Sequence, residues 1–297
     1  IIQSNLVPKF IDVNLKNFSI DLENIKKNLT KKTKAIFLIN VLGNCSEIDK
    51  IKDFCKKKKI YLIEDNCESL GTKFKNKYLG TFGNFGTFSF YCSHQISSGE
   101  GGMIVTNNYK DYKILSALRA HGWDRNINEK NRNNFNFINE GFNLRPLEVS
   151  ATIGLNQFKR LNKLIKIRSQ NRNKIINKLK TSRLWKNQFD FFYCSKNVKP
   201  SWFGLPLLIN NKFIKKKKSY LRYLKSINIE TRPIISGNFT NQKCISNYKL
   251  KFKNNNLQVT NQIDKRGFFI GIPNKPINDR MLKYLSYGLL NFLDEKN

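Results

Sequence analysis

The segment Phe88–Met103, FSFYCSHQISSGEGGM, places a histidine between a hydrophobic strand and a glycine-rich turn. The strand is predicted over Gly86–Cys92, and the next strand over Met103–Thr106. In an open α/β sheet, ligands bind in the crevice outside the carboxyl ends of the strands. The imidazole of His94 can take up and release protons near neutral pH. The segment therefore predicts an α/β fold with a functional site around His94.

Two buried strands precede this segment. The continuous apolar runs KAIFLINVL (Lys34–Leu42) and IYLIEDN (Ile60–Asn66) are typical of strands covered on both faces. A helix is predicted between them, with Ser46 as its N-cap and an end near Lys59. Another helix is predicted over Tyr109–Arg119. Strands separated by helix-length crossovers imply a mostly parallel sheet.

The pattern changes in the second half of the chain. After a polar loop over 127–139, a long helical region is predicted over 146–180, with Pro146 in its first turn. Later segments alternate short strands with a basic helix and a C-terminal amphipathic helix. We predict a large α/β domain, a linking helix with the boundary, and a smaller C-terminal α+β domain, over residues 1–165, 166–201 and 202–297.

The net charge is +33, from 54 Lys and Arg against 21 Asp and Glu among 297 residues. Such a charge suggests a polyanionic partner, whose binding would depend strongly on salt. The basic runs Lys56–Lys59 and Lys215–Lys218 lie on predicted helices or their ends, where a solvated face explains them. Abundant Asn and Ile point to an AT-rich genome as the source of the lysines. We therefore expect no nucleic-acid partner, with polyanion binding as an alternative hypothesis.

Other classes are disfavoured by composition. No apolar run reaches the roughly 18 residues of a membrane span, so no membrane partner is expected. The six cysteines form no CxxC pair and only two histidines are present, which disfavours a metal site. Scattered single cysteines suit a reducing cytoplasm. The first residue is Ile, so we expect the chain to be part of a longer protein.

Two stretches, EDNCESLG (Glu64–Gly71) and GTFGNFGTFSFY (Gly80–Tyr91), resemble the DegT/DnrJ/EryC1/StrS sugar aminotransferase family. That family uses pyridoxal phosphate (PLP), so the resemblance implies the PLP-dependent aminotransferase fold type I. The family normally has a lysine at the position of His94, and this lysine binds PLP covalently. Histidine does not form that bond stably. The resemblance therefore implies the family's dehydratase branch and a catalytic role for His94.

The resemblance also implies a set of cofactor-binding residues. Asp65 would pair with the pyridine nitrogen, Glu68 would hold the phenolic edge of the ring, and Ser89 would bind the phosphate. Asn143, in GFNLRP, would reach the cofactor phosphate of the neighbouring subunit, so a homodimer with a shared active site is implied. The alternatives are that Asp65 caps the following turn and that Asn143 is a turn residue.

The segment LRAHGWDRN (118–126) resembles the substrate-binding part of this branch. By that resemblance His121 lies near the substrate and Arg125 binds its diphosphate, a contact that suits a guanidinium. His121 could instead simply pack beside Gly122 and Trp123. The stretch ETRPIISGNF (Glu230–Phe239) also resembles this branch and would face the sugar nucleotide.

The resemblance implies a reaction in which L-glutamate converts PLP to pyridoxamine phosphate (PMP). A nucleotide-linked 4-keto-6-deoxy sugar, GDP-4-keto-6-deoxy-mannose, then loses its C3 hydroxyl, for deoxysugar and polysaccharide biosynthesis. A second dehydratase branch carries an iron–sulfur cluster, but the scattered cysteines here lack the close spacing expected for one. The alternatives are a sugar-nucleotide aminotransferase and an inactive sugar-nucleotide-binding relic.

Overall fold

The computed structural model describes residues 1–125, 127, 134–248 and 257–293. Within these ranges, no helix combines the length and the apolar composition needed to cross a bilayer. The helices are α1 (Leu22–Asn28), α2 (Ile48–Lys58), α3 (Tyr109–Leu118), α4 (Glu148–Phe158), α5 (Leu161–Lys180), α6 (Lys217–Ser226), α7 (Lys243–Asn247), α8 (Gln258–Arg266) and α9 (Asp279–Asn291). The strands are β1 (Ala35–Ile39), β2 (Tyr61–Asp65), β3 (Lys73–Phe74), β4 (Lys77–Tyr78), β5 (Phe85–Ser89), β6 (Gly102–Val105), β7 (Phe189–Phe191), β8 (Val198–Lys199), β9 (Gly204–Ile209), β10 (Thr231–Arg232) and β11 (Gly267–Gly271).

The first half of the chain builds a sheet in the order β1-β2-β5-β6. Its first three strands are parallel and β6 is antiparallel, so the prediction of a mostly parallel sheet is confirmed. The register aligns Ile39, Asp65 and Thr87, which places the carboxyl ends of β1, β2 and β5 along one edge. The sheet therefore brings the predicted site residues of β2 and β5 to the same edge.

Helix α2 covers one face of this sheet. Its buried residues Ile48, Ile51 and Cys55 join Leu38 and Leu62 of the strands in one core. The helix begins at Ile48 with Glu47 in the N-cap position, so the predicted cap at Ser46 is wrong. The chain enters the helix one residue later than the sequence pattern suggested.

The second half builds an antiparallel sheet in the order β10-β11-β9-β7. Every residue of β9 is buried, because the strand lies inside the sheet and is covered by helices. Tyr220 of α6 is fully buried and donates its hydroxyl hydrogen to the carbonyl of Leu289 in α9 at 2.8 Å. The predicted α+β character and the C-terminal amphipathic helix are thus confirmed.

The helical region predicted over 146–180 is two helices, α4 and α5, with a break at Lys159 and Arg160. Helix α4 buries none of its residues, whereas α5 packs Ile175, Ile176 and Leu179 into the core of the second sheet. The domain boundaries at 165 and 201 stay a prediction. The predicted loop over 127–139 falls partly outside the described ranges.

A short strap, Pro200–Phe203, lies between β8 and β9 and contacts the segments that follow β1 and β2 of the first sheet. The Ser201 N–H donates to Thr72 Oγ1 at 3.0 Å, and that hydroxyl donates to the Gly43 carbonyl at 2.9 Å. The Phe203 N–H donates to the Leu42 carbonyl at 3.2 Å. Gly43 has a φ of +90°, and a Cβ there would lie 2.1 Å from the Ser201 carbonyl oxygen. The close approach of the strap therefore requires glycine at position 43.

We predict that Gly43→Ala lowers the free energy of unfolding by at least about 3 kcal/mol, because it combines left-handed backbone strain with a backbone overlap. Gly99→Ala is the matched control, since Gly99 has a φ of +83° but nothing within 4 Å of the added carbon. Gly99→Ala should lower the free energy of unfolding by about 1 kcal/mol, which is the contribution of the backbone strain alone. Urea denaturation of both variants measures the difference. Equal losses would show that the strap does not depend on the close approach.

Candidate active site

The carboxylate of Asp65 lies at the end of β2, at the carboxyl edge of the first sheet. Its Oδ1 accepts a hydrogen bond from the Cys67 N–H at 3.0 Å, so the side chain does cap the following turn. The residue is only half-buried, which leaves its carboxylate accessible at the sheet edge. Burial, together with the neighbouring Asp65 carboxylate, raises the pKa of the Cys67 thiol to about 12. The turn therefore carries a carboxylate beside a protonated thiol.

Glu68 lies one turn further along the chain. Its Oε2 accepts a hydrogen bond from the Leu42 N–H at 2.9 Å, which ties the residues after β1 to the turn after β2. Burial raises the pKa of the Glu68 carboxyl to about 7; the Leu42 hydrogen bond opposes this, and the nearby negative charge of Asp65 adds to it. Glu68 therefore exchanges its proton near neutral pH.

Ser89 and His94 complete this edge from the side of β5. The Ser89 Oγ accepts a hydrogen bond from the Tyr91 N–H at 3.2 Å, and the His94 N–H donates to the Tyr91 carbonyl at 3.0 Å. The imidazole packs edge-on against the rings of Phe203, at 5.4 Å between centroids, and Tyr91, at 5.9 Å. Its Nδ1 is buried without a hydrogen-bond partner. The ring is thus packed between two aromatic rings, with its Nδ1 buried and lacking a protein partner.

The His94 imidazole interacts electrostatically with other groups at the same sheet edge. Partial burial lowers its pKa, and the Ser89 backbone carbonyl and the Asp65 carboxylate oppose that shift. Because Asp65 acts on both Glu68 and His94, the structure brings these three groups together with Ser89. The arrangement suits general acid–base catalysis on a ligand that lies over the sheet edge.

The other predicted residues form a second, exposed group. His121, with a φ of +65°, donates its backbone N–H to the Phe142 carbonyl at 2.9 Å, which sets it beside Asn143. The guanidinium of Arg125 lies over the Trp123 ring at 5.0 Å. No hydrogen bond within the described ranges joins this group to the His94 edge. The hydrogen bonds of the described residues therefore link the predicted site residues in two separate groups.

Several residues at the site were not predicted from the sequence. Gln95 is buried and donates from Nε2 to the Glu68 carbonyl, and to the Ser201 carbonyl at 3.3 Å. Phe203 supplies the ring that packs on His94. Arg232, within the ETRPI stretch, carries an exposed charge that acts on the Tyr91 hydroxyl. No local pattern marks Gln95 or Phe203, because their contacts join segments more than 100 residues apart.

The mostly parallel sheet and the carboxylate, hydroxyl and imidazole groups at its edge define a PLP-dependent enzyme of aminotransferase fold type I. The chain belongs to the DegT/DnrJ/EryC1/StrS aminotransferase family, whose model matches residues 1–280.

The chain is similar to characterised dehydratases of this family. It is 38% identical over 280 residues to the GDP-4-keto-6-deoxy-D-mannose 3-dehydratase of Escherichia coli O55:H7, an alignment covering 91% of this chain and 71% of that protein. A solved E. coli GDP-4-keto-6-deoxy-D-mannose-3-dehydratase with bound hydrated PLP superposes with a TM-score of 0.87 at 36% identity, covering 97% of this chain and 75% of the other. A further structure of such a dehydratase, with a trapped PLP-glutamate geminal diamine, has a TM-score of 0.87 at 35% identity over the same shares.

The residues at the sheet edge fit a pyridoxal-type cofactor. Asp65 offers a carboxylate for the pyridine nitrogen, and Glu68 offers a carboxyl with one hydrogen-bonded oxygen. The buried, unpartnered Nδ1 of His94 marks a polar position that a ligand can satisfy. Among the described residues, no group of three or more His, Cys, Asp and Glu side chains could hold a metal ion.

We predict that Glu68→Gln changes how stability depends on pH. Because folding raises the pKa of Glu68 from 4.5 to about 7, its proton stabilises the folded chain below pH 4.5, and this contribution is lost as the pH rises through 7, a change of about 3 kcal/mol. Glutamine does not ionise. The variant should therefore gain stability relative to the parent between pH 4.5 and 8, measured by urea denaturation of the cofactor-free chain.

Glu23→Gln is the control for this experiment. Glu23 is fully exposed, and hydrogen bonding to Lys26 lowers its pKa, so its replacement should give no gain as the pH rises. Parallel stability profiles for Glu68→Gln and the parent chain would show that the Glu68 carboxyl is not desolvated.

Proposed function

We propose that the chain is a PMP- and glutamate-dependent dehydratase that removes the C3 hydroxyl of a nucleotide-linked 4-keto-6-deoxy sugar. GDP-4-keto-6-deoxy-mannose is the proposed substrate, for deoxysugar and polysaccharide biosynthesis. The observation that carries the proposal is His94, which lies half-buried at the edge shared with Asp65 and Glu68. The sequence resemblance assigns this residue to the position of the family's PLP-binding lysine. The similarity to dehydratases named for this substrate supports the same reaction.

Three residues are proposed to hold the cofactor. When bound, PMP supplies the amine that condenses with the C4 ketone and a ring that accepts electrons. Asp65 would keep the pyridine nitrogen protonated through its negative charge. Glu68 would contact the phenolic oxygen, and its pKa near 7 lets it donate or accept a hydrogen bond there. Ser89 would donate its hydroxyl hydrogen to the phosphate.

His94 is proposed as the acid and base of the reaction. Its imidazole cannot form the lasting covalent link that lysine makes, so it would leave the amine of a bound cofactor free for the sugar. Burial favours the neutral ring, which is the form that removes a proton. The imidazolium so formed would then protonate the departing C3 hydroxyl. Packing against Phe203 and Tyr91 limits the ring to one position, from which both transfers occur.

L-glutamate is proposed as the amino donor and the nucleotide sugar as the substrate. The similar structure that holds a PLP-glutamate adduct supports the first assignment. His121 and Arg125 are proposed to bind the sugar and its diphosphate. Arg125 is exposed and stacked on Trp123, and an exposed guanidinium can make bidentate contacts with phosphate oxygens.

A homodimer with a shared active site is proposed because the second group of residues lies on an uncovered apolar surface. Leu147 and Val149 are 72% and 71% exposed, and Leu155 and Phe158 of α4 are exposed as well. Large exposed apolar surfaces mark protein interfaces. Asn143, four residues before Leu147, would then reach the cofactor phosphate of the partner. A two-fold interface would contribute two such sites.

The cytoplasm is the proposed location. All six cysteines are free thiols in the structure, including the exposed Cys92 and Cys244. Exposed free thiols persist in a reducing compartment. The proposed reaction would use nucleotide sugars and glutamate in that compartment.

We expect the chain, incubated with PLP, L-glutamate and GDP-4-keto-6-deoxy-mannose, to yield a sugar lacking one oxygen together with ammonia. Mass spectrometry of the sugar and an ammonia assay measure the two products. His94→Asn should lower kcat at least about 100-fold, because the proton carrier is lost. The only other histidine serves for comparison: His121→Asn should act mainly on KM. Formation of an amino sugar by the parent chain would instead identify an aminotransferase.

Subunit complementation tests the shared site. His94→Asn and Asn143→Asp chains should each be inactive as homodimers, and random mixing should restore about a quarter of the parent activity, because half of the dimers then carry one intact site. Size-exclusion chromatography with light scattering gives the oligomeric state. Mixed dimers without recovered activity would show that each site is built within one chain. Val149→Asp should convert dimers to monomers.

A further inference from the structure

Gln95 stands out among the buried polar residues because it links three segments of the site. It directly follows His94, is only 4% exposed, and donates from Nε2 to the carbonyl of Glu68 and to that of Ser201. Glu68 belongs to the turn after β2, and Ser201 to the strap of residues 200–203. The side chain therefore bridges the His94 turn, the Glu68 turn and the strap.

The chemistry of this link needs a primary amide. Both acceptors are backbone carbonyls, and the NH2 group of glutamine carries two hydrogens, one for each. A glutamate would present only acceptors at neutral pH, and a methionine of similar length would leave both carbonyls without this donor. Leaving buried carbonyls unpaired is costly, so the strap would shift to find other partners.

The strap matters for His94 because it carries Phe203. The rings of His94 and Phe203 meet edge to face, with centroids 5.4 Å apart and planes at 75°. The backbone of Phe203 is held by its hydrogen bond to the Leu42 carbonyl, and Leu42 in turn donates to the Glu68 side chain. A shift of the strap would therefore also shift the Phe203 ring against which the imidazole packs.

We propose that Gln95 is a positioning residue, which sets how deeply the His94 imidazole is buried by fixing the strap against the Glu68 turn. Gln95 is proposed to touch neither the substrate nor the reacting atoms. The consequence for turnover rests on the proposed function, whereas the consequence for the burial of His94 does not. The groups that face the imidazole are the Asp65 carboxylate, the Ser89 carbonyl, Tyr91 and Phe203.

The chain has only two histidines, so the imidazole signals can be followed individually by NMR. His121→Gln assigns the two signals. In Gln95→Met the pKa of His94 should rise toward that of an exposed imidazole, because burial is what lowers it. The signal of the exposed His121, which makes no hydrogen bond to Gln95 within the described ranges, serves as the internal control. An unchanged His94 pKa would overturn the proposal, whatever happens to the melting temperature.

A double-mutant cycle with Phe203→Leu tests the route through the strap. Phe203→Leu alone should raise the His94 pKa, because it removes the ring that covers the imidazole. Adding Gln95→Met to Phe203→Leu should then raise it little further, since both changes act through one contact. Fully additive shifts would show that Gln95 acts on His94 by another route and would overturn the assigned mechanism.

Turnover gives the functional readout. Gln95→Met should lower kcat about tenfold and leave KM for the nucleotide sugar within about threefold, because proton transfer and not binding is disturbed. Should Gln95→Met not fold, Gln95→Asn, which keeps the amide but is one methylene shorter, should shift the His94 pKa in the same direction. A shift in an enzyme that shows no dehydration supports the positioning role and rejects the proposed function.

Discussion

A buried carboxyl group must be given hydrogen-bond donors, and this requirement shapes the carboxyl edge of the first sheet. Glu64, the penultimate residue of β2, is fully buried and accepts hydrogen bonds from the backbone N–H groups of Gly80, Phe82 and Gly83. Glu68 accepts one from Leu42. The first set fixes the loop that leads into β5, and the second fixes the end of β1. Glu64 of β2 and Glu68 of the turn after β2 thereby tie both neighbouring segments to this strand.

The same constraint explains why the two carboxyl groups of the turn after β2 differ in chemistry. Asp65 is half-buried and beside solvent, whereas Glu68 is desolvated and next to the charge of Asp65, which raises its pKa to about 7. A carboxyl group with a pKa near 7 can share its proton in a hydrogen bond to a ligand at neutral pH.

The sequence predicts the parts of the site that depend on local pattern. Asp65, Glu68, Ser89 and His94 follow apolar runs that are strands, so their position at one sheet edge follows from the order of strands and helices. Gln95 and Phe203 have no such signal, because their roles arise where the strap meets the His94 turn. The break between α4 and α5 also has no local signal in the sequence, because neither Lys159 nor Arg160 is a helix breaker. The break accompanies a change from an exposed helix to a buried one.

The contrast between α4 and α5 also explains why the site residues fall into two groups. Helix α5 packs its apolar side chains into the core of the second sheet, whereas α4 leaves Ile153, Leu155 and Phe158 exposed. The loop before α4 carries Asn143 and is bound to the segment of His121, so these polar residues lie next to the same uncovered surface. Burying that surface against a second copy would stabilise the pair and would bring the second group toward another chain. Formation of such a dimer through its hydrophobic contact would then also complete its active site.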